Sequence, residues 1–261
     1  MSLDFQIFCK STFEDTYSPR CFGDFFHVGQ GADPTYLDWL LTAWGWTIAV
    51  SVLALCIALA IGITIGTLRT ITNETFLSKV LIFFSNAWVE LFRNIPVLVQ
   101  VFLWYHVIPI LIPALKNLPS FLLVSIALGF FTSARIAEQI KAGIFSLPKG
   151  QRMAAQSLGM TKVQTYRFVL LPMAMRIVIP PLTSECMNIV KNSAVAFAVS
   201  VSELTLFAMQ SQEETSKGIE MYLGVTALYI VTAFTVNRLM ALIERKTRIP
   251  GFITNAALGS H

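Results

Sequence analysis

Charged residues are scarce in this sequence. They make up 13% of the 261 residues, whereas 55% are hydrophobic. Soluble domains usually have about a quarter of their residues charged. Residues 39–68 contain no charged side chain at all. This composition indicates one membrane domain surrounded mostly by lipid, and the small net charge of +4 gives no reason to expect a nucleic acid partner.

The familiar motifs of phosphate binding and catalysis are also missing. The sequence contains no Gly-x-x-x-x-Gly-Lys-Ser/Thr phosphate loop, no His-Glu-x-x-His and no Gly-x-Ser-x-Gly. An intramembrane enzyme would need a nucleophile beside a base, and the sequence offers no such pair. We therefore expect a chain that is not an enzyme and that binds no cofactor itself.

Cysteine and histidine do not form a metal pattern. There is no Cys-x-x-Cys, and the three histidines lie far apart in the sequence. Cys56 and Cys186 fall inside apolar runs, where cysteine usually serves as a small packing residue. Cys9 and Cys21 share the polar N-terminal segment and either form a disulfide outside the cytoplasm or remain free. No metal site is expected.

Five apolar stretches are long enough to cross a bilayer as helices, which needs about 20 residues each. They cover approximately residues 39–68, 80–107, 121–145, 173–201 and 221–243. In the first stretch Ala54, Ala58, Gly62 and Gly66 recur every four residues, a spacing that lets another helix approach closely. The sequence therefore predicts an all-α, polytopic membrane protein in which residues 39–248 form the transmembrane domain.

Basic residues are concentrated in every second loop, and therefore on one side of the predicted membrane domain. Residues 1–38 are acidic and aromatic, which is typical of an extracytoplasmic segment on the membrane surface. By the positive-inside rule, the N-terminus lies outside, and the tail at 249–261 lies in the cytoplasm. The basic residues of the loops after the first and third stretches and of the C-terminal end are Arg69, Lys79, Lys149, Arg152, Lys162, Arg167, Arg245, Lys246 and Arg248.

The loop at residues 147–172 has four basic residues and no acidic one. Ala154 and Ala155 favour a short helix, and Gly159 can supply the left-handed turn that ends it. Thr161 suits the N-cap of a second helix at 162–170, which Pro172 would end or kink. Two short helices joined at a glycine can dock into a groove on another protein. The alternative is an ordinary basic loop that only fixes the topology.

Ionisable residues inside the apolar stretches need partners or water. Glu90 and Arg93 are three residues apart and can pair on one helical face, and Arg135 and Glu138 repeat this arrangement. Such pairs could also be structural links between helices.

A polar stripe marks the fourth stretch. Glu185, Asn188, Lys191 and Asn192 are spaced by three or four residues, so they share one face of a helix that also contains Pro180 and Pro181. Polar residues on an interrupted helix near the membrane centre are typical of substrate sites in transporters. We expect the stripe to line a translocation path together with Glu90, Arg93 and Asn94; the alternative is an interface between two subunits.

Three motifs together resemble the permease subunits of polar amino acid ABC importers. They are the loop spacing Ala154, Ala155, Gly159, Leu171 and Pro172, the sequence ELFRNIP at 90–96, and TSECMNIVKNSA at 183–194. The loop resembles the EAA signature that docks on the ATPase, although Met153 replaces its glutamate. The resemblance, closest to the glutamate/aspartate branch, implies a type I ABC importer permease fold with a cytoplasmic coupling helix.

This resemblance also implies the partners and the location. An ABC ATPase dimer would bind ATP and Mg, and a second permease subunit would be a paralogue or a second copy. An extracytoplasmic amino-acid-binding protein would deliver the substrate to the permease in the bacterial inner membrane. We expect ATP-driven import of glutamate or aspartate by alternating access. The alternatives are a gradient-driven secondary transporter or channel, or a permease for glutamine, arginine or histidine.

Overall fold

Helices account for almost all of the regular structure. The computed structural model describes residues 3–12, 35–72 and 75–247, in which the only β-structure is isolated bridging such as that between Ser11 and Thr35. The predicted all-α class is confirmed. The α-helices are α1 Tyr36–Leu68, α2 Phe76–Asn94, α3 Val97–Phe102, α4 Ile108–Leu111, α5 Ser120–Phe145, α6 Lys149–Ser157, α7 Lys162–Thr165, α8 Leu171–Asn192, α9 Leu204–Thr215 and α10 Gly218–Thr247.

Four helical runs of the described chain are long and apolar enough to cross a membrane. They are Tyr36–Leu68, Ser120–Phe145, Lys162–Val199 and Gly218–Thr247. A fifth is counted if α2 and the run Val97–Leu111 form one span, although the two are bent by 107°. The bend lies at Ile95 and Pro96, because proline removes a helical N–H and disfavours helical backbone at the residue before it. The second predicted apolar stretch, 80–107, is therefore interrupted at this point.

Helical structure continues from the basic loop into the fourth span without ending at a proline. A π-helical turn, Tyr166–Leu170, joins α7 to α8, and a 3₁₀ segment, Ser193–Val199, follows α8. The predicted helix does begin at Lys162, but the prediction that it ends at Leu170 is wrong, because helical structure continues through Pro172 into α8.

The chain divides into two compact units. Among the described residues, the first contains 3–12, 35–58, 94–131 and 188–233. Its core holds apolar residues of α1, α9 and α10 and of a 3₁₀ helix, Phe5–Cys9. A Cβ atom placed on Gly224 would lie 2.7 Å from Phe8, so this part of the N-terminal segment is buried in protein. Cys9 forms a disulfide; its predicted partner Cys21 lies outside the described residues.

The second unit contains, of the described residues, 59–72, 75–93, 132–187 and 234–247. The C-terminal half of α1 approaches α5 through Gly62 and Gly66. A Cβ atom on Gly66 would lie 2.7 Å from both the Ala137 carbonyl oxygen and Ile140 Cβ, and one on Gly62 would lie 2.7 Å from Ile136. These contacts confirm that the small-residue spacing of the first span serves close packing.

Candidate functional sites on the basic loop and among the charged residues

The first helix of the basic loop ends as its sequence predicts. Gly159 has φ +78°. Its N–H donates to the Gln156 carbonyl at 2.9 Å, and the Met160 N–H donates to the Ala155 carbonyl at 3.2 Å. These two bonds form a Schellman motif, which satisfies carbonyl groups that have no partner within the helix. Glycine is favoured here because the left-handed conformation strains a residue with a Cβ.

The next helix is also capped as predicted. Thr161 Oγ1 accepts the Gln164 N–H at 3.2 Å, and the Gln164 side chain accepts the Thr161 N–H at 2.8 Å. This reciprocal capping box fixes where α7 begins. The two motifs define a sharp corner between α6 and α7 that depends on local sequence alone.

The corner exposes apolar side chains. Leu158 is 82% exposed and Val163 75% exposed, and Met153 is exposed on α6. Among the docking residues predicted from the sequence, Ala154, Gly159 and Pro172 are exposed and Leu171 is half-buried. Ala155, on the inner face of α6, is buried. Sequence analysis did not single out Leu158 or Val163. The available signal was a large apolar residue on each side of a turn within a basic segment.

Tyr166 connects this loop to the segment that follows α1. Its hydroxyl donates to the Thr70 carbonyl oxygen at 2.6 Å, and Thr70 Oγ1 lies 3.2 Å from the same phenolic oxygen. Arg152 Nη2 donates to that oxygen at 2.8 Å, and its guanidinium lies 5.3 Å from the centre of the Tyr166 ring. The sequence gave no indication of this cluster.

Charged residues of the second unit pair between helices. Arg93 of α2 lies 2.7 Å from Glu138 of α5, and Arg135 of α5 lies 2.9 Å from Glu185 of α8. The predicted pairs Glu90–Arg93 and Arg135–Glu138, each within one helix, are therefore wrong. Their alternative, links between helices, describes what these charges do. Val89 of α2 packs against Ala134 and Ala137 of α5, which brings the two helices close enough for the long side chains of Arg93 and Glu138 to meet.

The α8 carboxylate is held in the interior of the second unit. Glu185 is 4% exposed, and Gln139 donates to its Oε1 at 3.0 Å. Arg135 approaches Oε2 as an ion pair, but its N–H is not directed at that oxygen well enough for a hydrogen bond. Glu185 therefore links α8 to α5.

The other candidate path residues occupy different surroundings. Asn188 and Asn192 are half-buried, whereas Lys191, Glu90 and Asn94 are exposed. The predicted stripe on α8 thus splits into a buried carboxylate that contacts α5 and a lysine on the surface. No group of three or more potential metal-ligating side chains occurs in residues 3–12, 35–72 and 75–247.

The same charged residues influence the pKa of Arg69, which lies directly after α1. Its Nε donates to Asn86 Oδ1 at 2.8 Å. Burial lowers the pKa of this guanidinium, and Arg93 acts in the same direction, while Glu138 and Glu90 raise it.

Glu203 is a buried carboxylate in the first unit that sequence analysis did not single out. Its side chain caps α9 by accepting the N–H groups of Thr205 at 2.9 Å and Leu206 at 3.0 Å, and the Tyr229 hydroxyl donates to it at 3.2 Å. Burial nevertheless raises the pKa of Glu203 to about 7. The available signal was a glutamate immediately before a helical segment.

Comparison with known proteins agrees with the geometry of the loop and the spans. A family model described as "Binding-protein-dependent transport system inner membrane component" matches residues 62–249. The glutamate/aspartate import permease protein GltJ of Escherichia coli K12 is 40% identical over 239 residues, which cover 88% of this chain and 95% of that protein.

Two further proteins show the same relationship. The probable glutamine ABC transporter permease protein GlnM of Bacillus subtilis is 35% identical over 200 residues, covering 77% of this chain and 89% of that protein. A solved structure described as an amino acid ABC transporter with histidines has a TM-score of 0.69 and 30% identity, covering 81% of this chain and 95% of its own. The chain therefore belongs to the family of inner membrane components of binding-protein-dependent transport systems and is a permease subunit of an amino-acid ABC importer.

Proposed function

We propose that the importer containing this chain carries glutamate and aspartate. The supporting observation is the 40% identity, over 88% of the chain, to a glutamate/aspartate import permease. The second candidate substrate is glutamine, because the 35% identical relative is a probable glutamine permease. Family membership makes the chain a transport subunit and not an enzyme, and it removes the gradient-driven carrier from consideration.

The accessible cations are suited to an acidic substrate. Arg93 remains 50% exposed although it pairs with Glu138, and Lys191 is exposed. A substrate carboxylate can replace Glu138 as the partner of Arg93, because guanidinium groups bind carboxylates through paired N–H donors. We retain Glu90, Arg93, Asn94, Glu185, Asn188, Lys191 and Asn192 as the proposed path, with Glu185 as its buried support.

Competition during uptake tests the substrate class. Vesicles containing the whole importer, with its ATPase and binding protein, would be supplied with labelled glutamate and an excess of unlabelled aspartate or glutamine. Aspartate should suppress ATP-dependent uptake, and glutamine should not. Suppression by glutamine, with none by aspartate, would replace the first candidate by the second.

The corner of the basic loop is the proposed docking surface for the ATPase. Ala154 and Gly159 remain the proposed centre of this surface. The exposed apolar side chains of Met153, Leu158 and Val163 extend it. Ala155 lies on the buried face of α6 and helps to hold this helix in place. Leu171 and Pro172 follow at the start of α8. ATP and Mg belong to the ATPase dimer.

The proposed assembly contains this chain, a second permease subunit that is a paralogue or another copy, the ATPase dimer and an extracytoplasmic binding protein. The basic residues of the loop indicate an inner membrane topology with the N-terminus outside and the C-terminus in the cytoplasm. ATP-driven movement of the docked loops would switch the spans between outward and inward access. A cysteine introduced at exposed Gly150 should resist an impermeant thiol reagent added outside intact cells; labelling there would reverse the topology.

A further inference from the structure

Three segments of the second unit meet at one phenolic oxygen. Tyr166 lies in the π-helical turn that precedes α8, Arg152 lies on α6, and Thr70 follows α1. The contacts of 2.6 Å to the Thr70 carbonyl and 2.8 Å from Arg152 both have hydrogen-bond lengths. A single side chain thus contacts all three segments.

The two contacts have different physical causes. Carbonyl groups at the end of a helix lack partners within that helix, and the Tyr166 hydroxyl supplies one for Thr70, which is 4% exposed. The positive charge of Arg152 is favourable beside the negative end of the α1 dipole. Arg152 in turn stacks on the Tyr166 ring.

The loop has a weaker polar connection to the segment after α1 as well. A second link, from Lys162 Nζ to Thr72 Oγ1, is 3.4 Å long and exposed. The shorter, half-buried contacts of Tyr166 are therefore better placed to fix the direction of α6.

We propose that Tyr166 is a positioning residue for energy coupling. It holds α6 against the segment after α1, so that a displacement of the docked loop moves α1 and α8 together. This inference rests on the proposed docking of residues 147–172. The π-helical turn serves the same end, since it sets the direction in which the tyrosine leaves the helix, and such turns are frequent at functional positions.

The test compares ATP consumption with transport in the complete importer. Tyr166→Phe removes only the hydroxyl and keeps the ring for Arg152. We expect the variant to retain the ATPase and to hydrolyse ATP at a nearly unchanged rate, while uptake falls about threefold to tenfold. The number of ATP molecules consumed per substrate should rise by the same factor. Tyr222→Phe, at an exposed tyrosine of α10, is the matched control and should leave the ratio unchanged.

A second variant keeps the test decisive if Tyr166→Phe accumulates poorly. Arg152→Met removes the other partner of the same oxygen and should raise the ratio too, and the double variant should be no worse than the more severe single one. An unchanged ratio in a well-folded Tyr166→Phe importer would overturn the proposal. If the loop did not dock on the ATPase at all, the result would be different, because the variant Leu158→Glu would keep the ATPase bound.

Discussion

Arg93 and Arg135 show how single charged residues connect the helices of the second unit. They pair with Glu138 and Glu185 on neighbouring helices, although each has an acidic residue three positions away on its own helix. A pair within one helix contributes only about 0.2–0.5 kcal/mol. The Arg93–Glu138 pair is 50% and 39% exposed, so it too adds little stability. Because the pair is accessible, a role in transport suits it better than a role in stabilising the fold.

Neutralising each partner of this pair in turn distinguishes a role in transport from a purely structural link. Arg93→Gln should lower glutamate uptake by about tenfold or more, because a charge-assisted bond to the substrate is lost. Glu138→Gln should change uptake far less, since it leaves the arginine available. Both variants should melt within a few degrees of the wild type. Equal losses of uptake in the two variants would indicate that the pair acts only as a structural link.

Glu203 makes the folding stability of the first unit depend on pH. Its pKa of about 7 in the folded protein exceeds the ordinary value of 4.5. The folded state therefore holds this proton more tightly than the unfolded state does. Its contribution to stability is complete below the ordinary value and is lost as the pH rises from there through 7, by roughly 3 kcal/mol.

Glu203→Gln should remove this dependence. The glutamine stays neutral and can still accept an N–H of α9, so the melting temperature should fall less between about pH 5 and pH 8 than in the wild type. Glu213→Gln, at an exposed position of the same helix, is the control and should behave like the wild type. Identical pH profiles for Glu203→Gln and the wild type would contradict the assignment.

At the scale of elements, the contact of α1 with α5 depends on missing side chains. Gly66→Ala should destabilise the protein by about 1–3 kcal/mol, because the new methyl group meets the Ala137 carbonyl in backbone that cannot easily move. Gly45→Ala is the matched control on the same helix, with no atom within 4 Å of its Cβ. Thermal unfolding in detergent checks the pair, and equal melting temperatures would refute the close approach.

The corner between α6 and α7 depends on one left-handed residue. Gly159→Asn should preserve it, because asparagine tolerates φ > 0, whereas Gly159→Val should lose about 1–2 kcal/mol of local stability. Retention of the ATPase by the purified permease measures the effect. We expect Gly159→Asn to retain it and Gly159→Val to lose it. The same retention by both variants would mean that the corner does not set the docking geometry.

The structure also shows which elements a sequence can predict. Gly159 and Thr161 end one helix and begin the next through contacts within a few residues, so their roles were predictable. The partner of Arg93 was not, because it depends on how α2 packs against α5. The π-helical turn at Tyr166–Leu170 was equally hidden, since the tyrosine that uses it binds Thr70, which lies 96 residues earlier.

For the whole molecule, the long apolar stretches predicted the all-α class and a chain with several helices that could cross a membrane. The bend after α2 leaves the number of membrane-crossing helices at four or five. Family membership places the chain in an amino-acid ABC importer, in which ATP hydrolysis belongs to another chain. The energy must therefore enter through contact with that chain, and the exposed corner of residues 147–172 is the surface proposed for it.

The most direct measurement is ATP-dependent glutamate uptake by the complete importer carrying Leu158→Glu, compared with Gln210→Glu. Both variants introduce the same charge at exposed positions, but only the first places it on the proposed docking surface. Uptake should be lost with Leu158→Glu, together with bound ATPase, and should persist with Gln210→Glu. Normal uptake and normal ATPase binding by Leu158→Glu would contradict the docking of this loop.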